Sequence, residues 1–302
     1  SFKPFIYSAS LEKGLSPSTM INDAPISFDA GQTGGQSWEP KNYDGKYDGP
    51  MTMRRGLTKS KNMISIRILQ KIGAKYGQEY TTRFGFDAEK NPPYLTLALG
   101  SGAVTPLQMA GAYAVFANGG YKVNPYLISR VTDASGKVVS QAQPDKAGSE
   151  ANRVIDERNA FMMDSMMKDV VKYGTATRAL VLKRPDIAGK TGTTNDSVDA
   201  WFAGYQAKVV GIAWIGFDQP RNLGNRETGG GLALPIWIGY MQKALKEIPI
   251  EERIIPEGLI QVGGDYYYAE NPPGTGVRSL GVSGKPADGD EKVKDEVRNE
   301  LF

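Results

Sequence analysis

Residues 187–217 constrain the fold most. Ile187-Ala188-Gly189-Lys190-Thr191-Gly192-Thr193-Thr194 is followed by Asp199-Ala200-Trp201-Phe202-Ala203-Gly204-Tyr205 and then by Val209-Val210-Gly211-Ile212-Ala213-Trp214-Ile215-Gly216-Phe217. The last run is short, β-branched and aromatic, with glycines at its bends, and reads as a buried strand. Lys190-Thr191-Gly192 ahead of a strand pair predicts an edge strand lining a cleft, with Gly192 small enough to let a substrate backbone come close. A phosphate loop is excluded. That motif needs a glycine five residues before Gly189, and the position holds Arg184, followed by Pro185. On its own, Lys-Thr-Gly is most simply a tight surface turn; the residues around it lift it above that reading.

The residue types that are missing narrow the chemistry. Among 302 residues there is no cysteine and no histidine. Disulfides, thiolate chemistry and Cys-based metal sites are out. A Ser-His-Asp triad and the two-His zinc helix are out as well. Any general base is Lys, Asp, Glu or Tyr. A net charge of +3 is too small to argue for nucleic acid, and 23% charged residues are ordinary for a globular chain. No apolar run reaches the ~18 residues that span a bilayer, and no signal peptide is visible. The chain opens inside an apparent helix and reads as a fragment of something longer.

In chain order, Phe2, Phe5, Ile6 and Ala9 follow the spacing of a buried helix face, ended at Gly14. Pro4 fits only a first turn, so the helix starts near residue 1 and Lys3 lies near its positive end, where an ammonium is disfavoured. Residues 15–50 read as a long surface loop, with Pro25-Ile26-Ser27-Phe28 as a short strand and Asn42-Tyr43-Asp44-Gly45 as a turn. Residues 51–73 read as a second helix on the stripe Leu57, Ile64, Ile68, Ile72. It carries Ser60-Lys61-Asn62, which alone is most simply a helix cap. A short helix ends at Gly85. Thr105 and Pro106 start another, which stops at Asn118-Gly119-Gly120. A hairpin is expected from Tyr126-Leu127-Ile128 and Val138-Val139 around Asp133–Gly136. Met162, Met163, Met166 and Met167 on a helix over 156–172 read as core filler. Leu234 to Ala244 close with a helix, and residues 251–302 read as a separate appendage with a small β-element and a solvated terminal helix over Asp288–Glu300.

A lysine on a first helix, then Ser60-x-Asn62, then Lys190-Thr191-Gly192 is the order used by the penicillin-recognising acyl-serine transferases. The chain resembles the transpeptidase domain of class A penicillin-binding proteins. The resemblance runs over about residues 1–248 and includes Ser1–Tyr7, Leu57–Asn62, Leu99–Gly120, Gly189–Tyr205 and Pro235-Ile236-Trp237. It implies an α+β fold of the penicillin-recognising, β-lactamase-like type: an antiparallel sheet flanked by helices, a helical subdomain, and the site between them. The domain so implied covers residues 1–250, with 251–302 as the C-terminal appendage.

The resemblance also implies roles. The family's first motif is Ser-x-x-Lys, so the nucleophilic serine is expected immediately before Ser1, outside this chain; a covalently acylated serine at that place is one reading the count allows. Lys3 is the implied base, Ser60 the proton relay to the departing D-Ala amine, and Lys190 the electrostatic partner of both. Asn62 binds the substrate amide, the Thr191 and Thr193 hydroxyls take the terminal carboxylate, Gly192 lets the substrate backbone come close, and the Thr193 N–H joins that of the serine in the oxyanion hole. The reaction is peptidoglycan cross-linking at D-Ala-D-Ala stems, with β-lactams as covalent inhibitors and neither cofactor nor metal. An upstream glycosyltransferase domain and membrane anchor are implied, placing the enzyme on the periplasmic face of a bacterial inner membrane. Rival readings are a D-Ala-D-Ala carboxypeptidase, a serine β-lactamase, and a non-catalytic β-lactam sensor or scaffold.

Overall fold

In the computed structural model the described residues are 1–30, 36–225 and 227–282. Helix α1 (Lys3–Leu11) is followed by strands β1 (Met20–Asp23) and β2 (Gly49–Thr52), then helices α2 (Met53–Thr58), α3 (Asn62–Ile72), α4 (Ala74–Thr82) and α5 (Pro106–Ala117). A hairpin, β3 (Arg130–Thr132) and β4 (Val138–Gln141), leads to helix α6 (Glu157–Tyr173). Strands β5 (Ala188–Thr193), β6 (Ala200–Gln206) and β7 (Val209–Ile215) precede helix α7 (Leu234–Ala244). A second hairpin, β8 (Leu259–Val262) and β9 (Asp265–Tyr268), and the short β10 (Ser279–Leu280) complete the described chain.

The sheet β5-β6-β7 is antiparallel throughout, with β5 at the edge, as the 187–217 pattern predicts. Its two faces have different partners. Tyr205 meets Tyr113 of α5 on one face, while Phe202 packs edge-on against Trp237 of α7 on the other, with ring centroids 4.8 Å apart. The register places Gly189, Gly204 and Gly211 side by side across the three strands. A Cβ at Gly204 would lie 2.7 Å from the Phe202 ring, and one at Gly211 would lie 2.6 Å from the Trp237 indole. The glycine row is therefore a bed for two large rings, and the Trp237 N–H donates to the Gly211 carbonyl at 3.0 Å.

Helix α1 is buried on all nine residues, beyond the single stripe its spacing predicts. It threads the molecule rather than lying on it. Phe5 has five aromatic neighbours, Phe2, Phe84, Phe86, Tyr113 and Phe116, with centroids 4.8–5.5 Å away. Its two serine hydroxyls are satisfied inside the core: Ser8 Oγ donates to Asn159 Oδ1 at 2.7 Å, and Ser10 Oγ donates to the Tyr7 carbonyl. Helix α5 starts as read, with Thr105 and Gln108 forming a reciprocal capping box and Pro106 in the first turn. The four methionines of α6 are buried core.

Several expectations are corrected. The helix read over 51–73 is two helices broken at Lys59–Lys61, because the chain reverses there into a left-handed residue, Ser60 (φ 58°). The strand read at Pro25–Phe28 is only a single bridge, Phe28 to Trp38; the strands of this stretch are β1 and β2, whose alternation is too short to see. The 15–50 segment is also not simply a surface loop, since Asp23 and Asn42 are buried in it. The first hairpin strand lies at 130–132, not at 126–128, because the 133–136 turn sets the register from its own end. The terminal helix expected over Asp288–Glu300 lies outside the described residues. Residues 256–282 form the β8–β9 hairpin and contribute β10, which pairs in parallel with β1. Arg54 ties α2 to Asp169 on α6 and to Asp265 on β9.

Candidate active site

The break between α2 and α3 has a recognisable geometry. Lys61 N–H donates to the Gly56 carbonyl and Ser60 N–H to the Leu57 carbonyl, at 2.9 and 3.0 Å. Those two bonds, with a left-handed residue between them, are a Schellman helix stop. The left-handed position is usually glycine; here it is Ser60, which costs about 1–2 kcal/mol. The strain turns the Ser60 hydroxyl away from the helix surface and toward α1 and β5.

There it meets two lysines. Lys190 Nζ donates to Ser60 Oγ at 2.7 Å, and Lys3 Nζ approaches the same oxygen at 3.4 Å. Lys3 also donates to the Ser60 carbonyl at 2.6 Å and to Asn62 Oδ1 at 2.7 Å. Lys190 completes its shell with Thr191 O and Oγ1. Residues 57 and 130 positions apart in sequence thus converge on one hydroxyl. Lys3 and Lys190 are 7% and 0% exposed, so neither ammonium is solvated by bulk water. Burial pushes Lys3 well below the ordinary lysine value; Lys190 pushes it further, and Asp23 pulls back. Burial alone brings Lys190 down to about 7. At neutral pH one of the two can release its proton readily, which an exposed lysine cannot.

The edge strand supplies hydroxyls. Thr191 Oγ1 is 2.6 Å from Thr175 Oγ1, and Thr193 Oγ1 accepts from the Gly229 N–H at 3.1 Å, leaving its own proton to offer outward. Gly192 admits a close neighbour, and that neighbour is Ser1: a Cβ at Gly192 would lie 2.5 Å from the Ser1 nitrogen. Ser1 N donates to the Thr191 carbonyl at 3.2 Å, and Tyr113 donates its phenol proton to the Ser1 carbonyl at 2.7 Å. The start of α1 is therefore pinned directly against the edge strand. Asn62 donates from Nδ2 to the Lys41 carbonyl at 2.7 Å, which leaves one amide proton and one lone pair for a ligand.

The structure brings Lys3, Ser60, Asn62 and Lys190 into contact and sets Thr191, Gly192 and Thr193 beside them. Thr175, Tyr113 and Asn42 were not singled out in the sequence. Thr175 sits in Tyr173-Gly174-Thr175-Ala176, legible only as a helix end, and Tyr113 reads as core. Among the described residues no cluster of acidic side chains is arranged to hold a metal ion, and no helix is long and apolar enough to cross a membrane.

Residues 1–215 match the family described as the penicillin binding protein transpeptidase domain. The chain is 49% identical over 290 residues to penicillin-binding protein 1A of Neisseria lactamica, covering 95% of this chain and 36% of that protein. It is 44% identical over 307 residues to penicillin-binding protein 1A of Pseudomonas aeruginosa, covering 87% of this chain and 37% of the relative. The crystal structure of penicillin-binding protein 1A from Haemophilus influenzae superposes with a TM-score of 0.83 at 37% identity, over 90% of this chain and 48% of that one. The chain thus spans only 36% to 48% of the length of these relatives.

Proposed function

The chain belongs to the family of penicillin binding protein transpeptidase domains, and from that membership we propose that it cross-links peptidoglycan by D-Ala-D-Ala transpeptidation through an acyl-serine intermediate. The observation that carries the reading is the Lys3–Ser60–Lys190 arrangement, in which two buried lysines converge on one serine hydroxyl.

The nucleophile in this reading is the serine expected immediately before Ser1; the contact of the Ser1 nitrogen with Thr191 and Gly192 supports a place for it near β5. Its Oγ attacks the carbonyl between the two D-alanines as neutral Lys3 takes its proton. The N–H of Thr193 and that of the serine hold the oxyanion. When the tetrahedral carbon expels D-Ala, the departing amine receives its proton from Ser60, which is refilled from the lysine pair. Asn62 orients the donor amide with its remaining valences. Lys190, with the Thr191 and Thr193 hydroxyls, holds the terminal carboxylate. An amine of a neighbouring stem then attacks the ester, the serine recovers its proton, and the cross-link forms. β-Lactams enter as mimics of D-Ala-D-Ala and remain on the serine.

In the whole protein we place a glycosyltransferase domain and a membrane anchor ahead of this chain, on the periplasmic face of the inner membrane, with residues 251–302 as a C-terminal appendage. The test is product analysis with a pentapeptide-bearing donor and an amine acceptor. Cross-linked dimer with release of one D-Ala is expected. Tetrapeptide alone would indicate a carboxypeptidase, rapid turnover of penicillin a β-lactamase, and no reaction a binding module.

A further inference from the structure

Helix α3 begins at Asn62, beside the reacting groups, yet no side chain of its own N-cap residue, Lys61, closes it. The free N–H groups are taken from twenty residues away. Asn42 Oδ1 accepts from the Asn62 N–H at 2.8 Å and from the Met63 N–H at 3.4 Å. Asn42 Nδ2 donates to Asp23 Oδ1 at 2.7 Å and to the Lys46 carbonyl at 2.8 Å. All four hydrogen-bonding valences of one 4%-exposed amide are thus engaged. The adjacent Lys41 carbonyl receives the Asn62 side chain at 2.7 Å.

Beneath Asn42 lies an anchor. Asp23, fully buried, accepts from Asp48 N–H at 2.9 Å and pairs with Lys61 at 3.3 Å; Lys61, 4% exposed, also meets Asp44 and Asp48. Lys61 is the middle residue of Ser60-Lys61-Asn62, so the same cluster grips the helix break from its inner side. The side chains on either side of Lys61 are those that contact Lys3.

We propose that Asn42, seated on Asp23, is a positioning residue for the acyl-transfer site: it caps α3 at a distance and so fixes the strained Ser60 and the Asn62 amide relative to Lys3. This rests on the transpeptidase reading above. Neither Ala nor Asp at position 42 meets the same demands. Ala removes the cap. Asp keeps the acceptor but sets a second carboxylate against Asp23. Exchanging both residues, Asn42→Asp with Asp23→Asn, restores a donor–acceptor pair of unchanged total charge.

The experiment uses the full-length protein and benzylpenicillin, measuring the second-order acylation constant per active site, with active sites counted by stoichiometric titration. Asn42→Ala should lower that constant about 100-fold, the scale of a misplacement of about 1 Å near the chemistry. Asn42→Asp should fall comparably, and adding Asp23→Asn should recover about tenfold, a coupling of contacting residues. In Asn42→Ala the acid limb of the acylation profile should move to lower pH, because Lys3 loses acceptors for its charged form. A reduced number of active sites acylating at the wild-type constant with the wild-type profile would show a purely structural role and overturn the inference, as would a double exchange no faster than Asn42→Asp. Failure of the wild-type protein to acylate at all would instead bring down the reading on which the inference stands.

Discussion

Ser60 has two separable duties, a backbone conformation and a hydroxyl. Ser60→Gly and Ser60→Ala both remove the oxygen that Lys190 and Lys3 share, but only glycine relieves the left-handed strain at φ 58°. We expect Ser60→Gly to be more stable than Ser60→Ala by about 1 kcal/mol in denaturant unfolding, with both nearly inactive; equal stabilities would refute the strain. Lys190 gives a pH-dependent counterpart. Its folded-state pKa, near 7, is below the unfolded value of 10.5. Between those values the unfolded chain binds the extra proton, so the folded state gains stability as pH rises. Lys190→Met should therefore stabilise the protein by about 1–4 kcal/mol below pH 7, with the gain vanishing toward pH 10.5, while acylation collapses. A gain independent of pH would show that the buried charge is not its source. Legibility at this scale divides along the same line. Lys3, Ser60, Asn62 and Lys190 could be named because each sits in a short recognisable string. Asn42, Asp23 and Thr175 could not, because only tertiary approach brings them to Asn62, Lys61 and Thr191.

At the scale of elements, the 187–217 pattern predicts strands because the β6–β7 connection is local and the residues are β-branched and aromatic. The single helix expected over 51–73 failed because its stripe, Leu57 to Ile72, continues across the break; periodicity sees the buried face and not the reversal at Ser60. For α1 the spacing located the helix but missed its depth. Nothing in Phe2, Phe5, Ile6 and Ala9 announces that Ser8 and Ser10 are also enclosed. The catalytic consequence lies in Phe5. Its five aromatic neighbours hold the turn that carries Lys3, so Phe5→Ala should cost about 3–5 kcal/mol and broaden the acylation pH profile as Lys3 loosens. Thermal unfolding and the pH profile together check this; a change below about 1 kcal/mol would show that the ring cluster does not hold α1.

Across the whole molecule, the site exists only where separate layers meet. Lys3 comes from the buried central helix, Ser60 and Asn62 from the helix break, and Lys190 to Thr193 from the sheet edge, with Arg54 and its two carboxylates linking the helices to the 256–282 segment. The absence of histidine is consistent with this arrangement, since in the proposed reaction two buried lysines with depressed pKa values take the place of an imidazole base. The most direct measurement is the intact mass of the full-length protein after exposure to benzylpenicillin, followed by peptide mapping. One stable adduct per molecule on the peptide containing Phe2-Lys3-Pro4, at the serine just before Ser1, is the predicted result. An adduct on Ser60 or elsewhere, or none on a folded protein, would contradict the account.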